Sequence, residues 1–312
     1  MKTVFVVTLS PALDVHYHVA SAEFGLMRAS SHSLTAGGKG INLVREIAKI
    51  LRDSDNTEKD GGEAGFTVEN IYPAGGNTGA LFESILDGEN FPNAVKNHPF
   101  PNNAPVRVNA SVLPESGRGF EVNAPGADAA DAAEKIRAYV AENIKSGDVL
   151  CVCGSVPRDV DKAYPANLCR TAREKGAHAV LDCDGEALRI AAEADEKHAA
   201  SLIKPNIDEL EELTGIRPAS DEMTVYLAGT LPFETVAVTM GKDGGIVCEK
   251  RAGEAPEGIK FTSDPVENPA RTKGAGDTYL GAFVYAKYIG GEETPRAAKF
   301  ASAEAEEYVR GM

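Results

Sequence analysis

Two glycine-rich stretches hold the residues best suited to chemistry. Thr272-Lys273-Gly274-Ala275-Gly276-Asp277 runs directly into a helical pattern over Thr278–Tyr288. Glycines at a helix start let backbone N–H groups converge on one point, and the helix dipole adds positive potential there. Such an anion hole suits negative charge building on a phosphoryl group in transfer, and Asp277 beside it could accept a proton from an attacking hydroxyl. Taken alone, a glycine-rich turn ending in Asp is more often a helix N-cap. Ala36-Gly37-Gly38-Lys39-Gly40-Ile41-Asn42 also leads into a helix. Its glycines allow close backbone approach, Lys39 offers a point charge to a phosphate, and Asn42 can bind hydroxyls. It is neither a dinucleotide fingerprint nor a Walker A loop, because G-x-G-x-x-G is missing and no Ser or Thr follows Gly-Lys. A tight turn with an exposed lysine fits it as well.

In Lys204-Pro205-Asn206-Ile207-Asp208-Glu209, Asn206 and Glu209 have the spacing of an N-cap and its N3 partner. The same pair could organise a divalent cation and phosphates through water, and both readings can hold together. Gly154-Ser155-Val156-Pro157 follows a strand, at the end where doubly wound sheets bind ligands. The run from Val238 and Thr239 through Gly241 to Gly244 and Gly245 joins two strand-like segments, as a hairpin would. Arg107 and Asn109 alternate with Val106 and Val108, so both point to one face; Arg107 is either solvated or turned toward a phosphate. His16 and His18 lack the Cys, Asp or Glu companions of a metal site.

These residues need a frame. Strand patterns at Thr3–Leu9, Asn70–Tyr72, Val149–Cys153, Ala179–Leu181, Leu202–Lys204 and Val236–Thr239 alternate with helical patterns. The helices are expected at Ile41–Leu51, Gly79–Leu86, Ala129–Ile144, Lys162–Glu174, Glu186–Ala194 and Asp208–Leu213. That rhythm predicts an α/β fold with a mainly parallel sheet covered on both faces. Leu13–Val19 and Val106–Val122 break it with β-rich alternation, the second with a turn at Glu115-Ser116-Gly117. They read as an antiparallel appendage or lid, spanning about 12–35 and 104–124 of a single domain 1–312. Arg52–Gly65, polar and glycine-rich, reads as a surface loop.

Composition narrows the partners. With 312 residues, 43% hydrophobic and 25% charged, the chain can build a sizeable core, and without Trp it must use Val, Ile, Leu and Ala. A net charge of −15 argues against nucleic acid and anionic membranes, and requires any phosphate site to gather its cations locally. Five cysteines without a CxxC pair predict reduced thiols in a cytoplasmic protein, and no segment has the length to span a membrane. The apolar start before Pro11 and Asp14 reads as a first core strand rather than a signal peptide.

In order, Thr8-Leu9-Ser10-Pro11-Ala12-Leu13-Asp14, Gly37-Gly38-Lys39-Gly40-Ile41-Asn42, Gly154-Ser155-Val156-Pro157, Lys204-Pro205-Asn206-x-x-Glu209 and Gly274-Ala275-Gly276-Asp277 resemble the PfkB branch of the ribokinase family. The resemblance implies a three-layer α/β/α ribokinase-like fold with a small β lid, often a dimer contact. It implies Asp277 as catalytic base, with N–H groups of Gly274, Ala275 and Gly276 as anion hole. Asp14, Gly38, Asn42, Asn109 and Ser155 would meet a sugar, with Lys39 and Arg107 on its existing phosphate. Asn206, Thr239, Gly241 and Gly244 would hold ATP, and Glu209 its Mg2+ through water. The implied activity is ATP-dependent phosphorylation of a phosphorylated ketohexose. Fructose 1-phosphate is favoured over tagatose 6-phosphate or fructose 6-phosphate, and a weakly catalytic sugar or nucleotide sensor is the competing reading. Two features depart from the pattern: Lys273 stands where a small or apolar residue is usual, and the Pro295–Arg310 helix carries Glu304, Glu306 and Glu307.

Overall fold

Val4, Phe5, Val6 and Val7 are apolar at every position rather than at every second one, the mark of a strand covered on both faces. In the computed structural model, which describes residues 1–22, 25–57, 65–115, 118–251, 253–262, 266 and 272–311, these four are all buried. They belong to β1 (Lys2–Thr8), followed by β2 (Ala12–Val19), β3 (Ser31–Gly37), α1 (Lys39–Thr57), β4 (Phe66–Ala74), α2 (Gly76–Gly88) and β5 (Val95–Pro101). Next come β6 (Arg107–Pro114), β7 (Phe120–Val122), α3 (Ala130–Asn143), β8 (Val149–Cys153), α4 (Tyr164–Glu174), β9 (His178–Asp182) and α5 (Gly185–Ala192). The remainder is β10 (Leu202–Ile203), α6 (Ile207–Thr214), α7 (Asp221–Thr230), β11 (Thr235–Thr239), β12 (Gly245–Glu249), β13 (Glu257–Phe261) and α8 (Ala275–Val284). A π turn, Tyr285–Ile289, leads to α9 (Thr294–Arg310).

The large sheet has the order β13-β12-β11-β10-β9-β8-β1-β4-β5. It is parallel from β5 to β11, with β12 and β13 added antiparallel. Alternate residues of one strand feed two cores. Phe5 and Val7 pack with α3, α4 and α5, whereas Val4 and Val6 pack with α1, α8 and α9. The three expected layers follow. All five cysteines are free and buried, and burial raises their thiols away from thiolate.

The appendage is a second sheet, β3-β2-β6-β7, and it is mixed rather than antiparallel. Two antiparallel pairs, β2–β3 and β6–β7, join through a parallel β2–β6 contact. Each of β2 and β6 leaves the same end of a parallel strand, β1 or β5, so the two enter the appendage in one direction. The expected Arg52–Gly65 loop is also corrected at its start, because α1 continues to Thr57. Arg52 donates to the carbonyls of Glu89 and Asn90, and the Ser54 hydroxyl to that of Ile50, so polar side chains here accompany helix. The rest of that stretch, residues 58–64, lies outside the described residues, as do Ser116 and Gly117 of the expected turn.

Helices α1 and α8 cross closely. A Cβ on Gly281 would lie 2.8 Å from the Leu43 carbonyl oxygen and 2.9 Å from Glu46 Cβ. Gly281→Ala is therefore expected to cost about 1–3 kcal/mol in urea unfolding; unchanged stability would mean that the helices have room to spare.

Candidate active site

Parallel strands carry the chain repeatedly to one edge of the sheet, where the following helices begin. Asp277 sits in the first turn of α8 at that edge, and its Oδ2 accepts a hydrogen bond of 2.8 Å from Asn42 Nδ2 on α1. Burial pushes the Asp277 carboxyl up to about 6, with the negative charge of Asp182 adding to the effect. The Asn42 bond, Lys204 and Lys39 pull it the other way.

Asp182, at the end of β9, was not among the residues singled out from sequence. Only 3% exposed, it has Lys39 Nζ at 3.4 Å and Lys204 Nζ at 3.6 Å from Oδ1. Its Oδ2 has no hydrogen-bond partner among the described residues. Burial acts against the charge on Lys39, but Asp182, Asp184, Glu209 and Asp277 outweigh it and hold the ammonium above the ordinary lysine value. Lys204, also missed as a site residue although it opens a flagged motif, reaches the start of α8 itself. A Cβ on Gly276 would lie 3.3 Å from its Nζ. Position at a strand's carboxyl end was the one available signal for both.

The helix start is shaped by contacts as well as by dihedrals. Gly274 has φ of 91°, and a Cβ there would lie 2.6 Å from the Tyr308 hydroxyl. That hydroxyl donates to the Lys273 carbonyl at 2.7 Å. Of the expected anion-hole donors, Ala275 N–H already reaches the Thr272 carbonyl at 3.3 Å. The Lys273 ammonium pairs with Glu121 on β7 at 3.0 Å, joining this loop to the small sheet.

On the small-sheet side, Asn109 Nδ2 donates to Asp14 Oδ1 at 2.7 Å, and Asn109 Oδ1 accepts from Ala124 N–H at 3.0 Å. Asp14 lies so close to the glycine turn that a Cβ on Gly37 would fall 2.1 Å from its Oδ2. Gly38, next in the turn, packs on Thr8. Arg107 donates to the carbonyls of Ala124 (3.0 Å) and Ser10 (3.2 Å), while its buried Nε has no partner among the described residues. Burial lowers its pKa, against the opposing charge of Asp14. Ser155, half-buried after β8, enters none of these contacts.

On the other side of Asp277, Thr239, Gly241 and Gly244 line a hollow of about 340 Å³ with Ala275 and Gly276. Its far wall is α9, through Ser302 and Glu306. Asn206 and Glu209 form a full capping box: Asn206 Oδ1 accepts from the Asp208 and Glu209 amides, and Glu209 Oε2 from the Asn206 amide at 2.8 Å. Burial raises the Glu209 pKa. No group of three or more His, Cys, Asp and Glu able to hold a metal occurs among the described residues. A lone carboxylate such as Glu209 fits a cation that keeps its water shell, not one caged by protein.

Residues 8–310 match the PfkB family, described as pfkB family carbohydrate kinase. The 1-phosphofructokinase of Bacillus subtilis (strain 168) is 28% identical over 287 residues, covering 90% of this chain and 84% of that protein. A tagatose-6-phosphate kinase of Staphylococcus epidermidis is 26% identical, covering 77% of this chain and 73% of its own length. Among solved structures, phosphofructokinase-2 from Escherichia coli in complex with fructose-6-phosphate superposes with a TM-score of 0.83 at 26% identity, covering 100% of this chain and 95% of that one. The tetrameric inhibited form of that enzyme gives 0.82 at 26% identity, with coverage of 99% and 94%.

Removing the Lys204 ammonium takes away one charge that favours ionised Asp277. In Lys204→Met, the Asp277 carboxyl resonance is expected to titrate above the wild-type value of about 6 in 13C NMR. An unmoved midpoint would show that this charge does not reach Asp277.

Proposed function

The chain belongs to the pfkB family of carbohydrate kinases, and on that premise we propose that it carries the γ-phosphoryl group of ATP to a hydroxyl of a phosphorylated ketohexose, fructose 1-phosphate before others. The observation that carries this reading is Asp277, a carboxyl pushed up to about 6 beside a helix N-terminus. A base titrating near 6 is ionised at neutral pH yet basic enough to share a hydroxyl proton. The sugar oxygen forms a bond to the γ-phosphorus, the bond from that phosphorus to the ADP oxygen breaks, and the hydroxyl proton passes to Asp277. The first-turn amides of α8 and the Lys204 ammonium stabilise charge on the phosphoryl oxygens.

Asp14 and Asn109 hold sugar hydroxyls, while Asn42 works through Asp277. Arg107 is the best-supported contact for the substrate's own phosphate, since its only hydrogen-bond partners among the described residues are two carbonyls. Lys39 adds its charge to the same region from beside Asp182. The nucleotide occupies the hollow lined by Thr239, Gly241 and Gly244, and Asn206 pairs through its backbone with Thr239 beside it. Glu209 would hold Mg2+ through water, and the ion would supply charge neutralisation to the phosphates. Tagatose 6-phosphate and fructose 6-phosphate are the alternative acceptors, since relatives named for those sugars match comparably.

The second copy of this chain docks on the outer face of the small sheet. Tyr17, Val108, Phe120 and Val122 are exposed there, an apolar set unusual for a solvated face. The tetrameric state named for the Escherichia coli relative supports self-association. No helix of the described residues is long and apolar enough to cross a membrane, and with buried free thiols the cytoplasm is the proposed compartment.

Asp277→Asn is expected to lower turnover by about 10³-fold, and wild-type kcat to fall as pH drops through about 6, because the base must be ionised. ADP release with ATP and fructose 1-phosphate, fructose 6-phosphate, tagatose 6-phosphate, ribose and nucleosides tests both. Near-normal turnover in the variant removes Asp277 as base, and preference for an unphosphorylated sugar removes the substrate class. Paired Phe120→Glu and Val122→Glu changes are expected to yield monomers in sedimentation velocity; an unchanged oligomer would move the interface elsewhere.

A further inference from the structure

A side-chain amide has two unlike ends, and only one of them can donate to a carboxylate. Asn42 lies between Asp277 and Arg45, one helical turn further along α1. A guanidinium has donors and no acceptor, so Arg45 must meet the amide oxygen. Its Nη1 donates to Asn42 Oδ1 at 2.9 Å, which turns Asn42 Nδ2 onto Asp277 Oδ2 at 2.8 Å. Arg45 is itself fixed by a fork: Nε and Nη2 donate to the two carboxylate oxygens of Glu89 at 2.9 and 2.6 Å, and Nη2 also to the Ala36 carbonyl at 2.6 Å. Two parallel charge-assisted bonds fix orientation as well as distance. Glu89, Arg45, Asn42 and Asp277 therefore form one hydrogen-bonded line from the end of α2 through α1 to the start of α8.

We propose that Arg45, clamped by Glu89, is a positioning residue for phosphoryl transfer: it fixes the Asn42 amide so that its NH2 group holds Asp277 Oδ2 and leaves Oδ1 to the substrate hydroxyl. This rests on the reading of Asp277 as base. Without Arg45 the amide is free to turn its oxygen toward the carboxylate, which misaims the base and removes a bond that favours its ionised form. The other charges facing Asp277 are Asp182 at the end of β9, Lys204 after β10 and Lys39 at the start of α1; none of them contacts Arg45 in an ion pair.

The test compares wild type, Asp277→Asn, Arg45→Leu, Arg45→Lys and Glu89→Gln by ADP release with ATP and the three ketohexose phosphates, from about pH 5 to about pH 9. The Asp277 carboxyl is also titrated by 13C NMR, a readout that needs no substrate, and thermal unfolding is followed alongside. Arg45→Leu is expected to lower kcat about 10- to 100-fold with KM for ATP within about twofold. Its acid limb and the Asp277 titration both move upward. Glu89→Gln shifts the same way by less, and Arg45→Lys restores part of the loss. A fall in kcat with the acid limb and carboxyl titration unmoved marks a merely structural role and overturns the proposal, as do wild-type profiles in both variants. If Arg45→Leu does not fold, Glu89→Gln decides by the same criteria. Normal turnover in Asp277→Asn would instead overturn the base itself, and this proposal with it.

Discussion

Parallel pairing unbroken from β5 to β11 obliges the helices that follow those strands to begin along one edge of the sheet. Amide groups and helix dipoles gather there, and Lys39 and Lys204 add two ammonium groups. Burial works against the charge of Lys39, so that ammonium needs carboxylates facing it. Asp182 meets that need from the end of β9. A chain of net charge −15 thereby keeps two ammonium groups together at this edge.

The same edge separates two aspartates by their neighbours. Asp182 faces two ammonium groups, whereas the hydrogen-bond donor to Asp277 is the neutral Asn42 amide. Burial and the charge of Asp182 then raise the Asp277 carboxyl above the ordinary aspartate range. Asp182 is thus a member of an ion-pair cluster, while the Asp277 carboxyl has only a neutral amide as its side-chain hydrogen-bond partner among the described residues. Close packing sets the distances: a Cβ at Gly37 would fall in the space now held by Asp14, and one at Gly276 would press on the Lys204 ammonium.

Side-chain contacts join the small sheet to this edge of the large one. Asp14 and Asn109 lock β2 to β6, Arg107 ties that pair to Ser10 and Ala124, and Glu121 reaches Lys273 just before α8. Lys273, the unusual residue in its motif, is thus turned outward to the small sheet. Glu304 and Glu307 on α9 likewise face Lys49 of α1, and Glu306 stands in the wall of the hollow.

Local chemistry is written in the chain, and much was legible from it. Apolar strands and amphipathic helices announced a covered parallel sheet, because burial on two faces demands unbroken apolar runs. The capping box at Asn206 and Glu209 and the glycine turns before α1 and α8 were equally readable, since caps and turns depend on residues a few positions apart. The strand β5, with Lys96, Asn97 and His98, and helix α7 carry weak periodicity and were not anticipated. The direction of β2 against β6 was also hidden, because pairing between distant segments is decided by where the large sheet delivers each strand. Asp182 and Arg45 drew no attention for the same reason. A lone Asp ending a strand, or an Arg within a helix, has no local signature. Each becomes significant only when the fold brings residues 143 and 44 positions away to within hydrogen-bond reach of it.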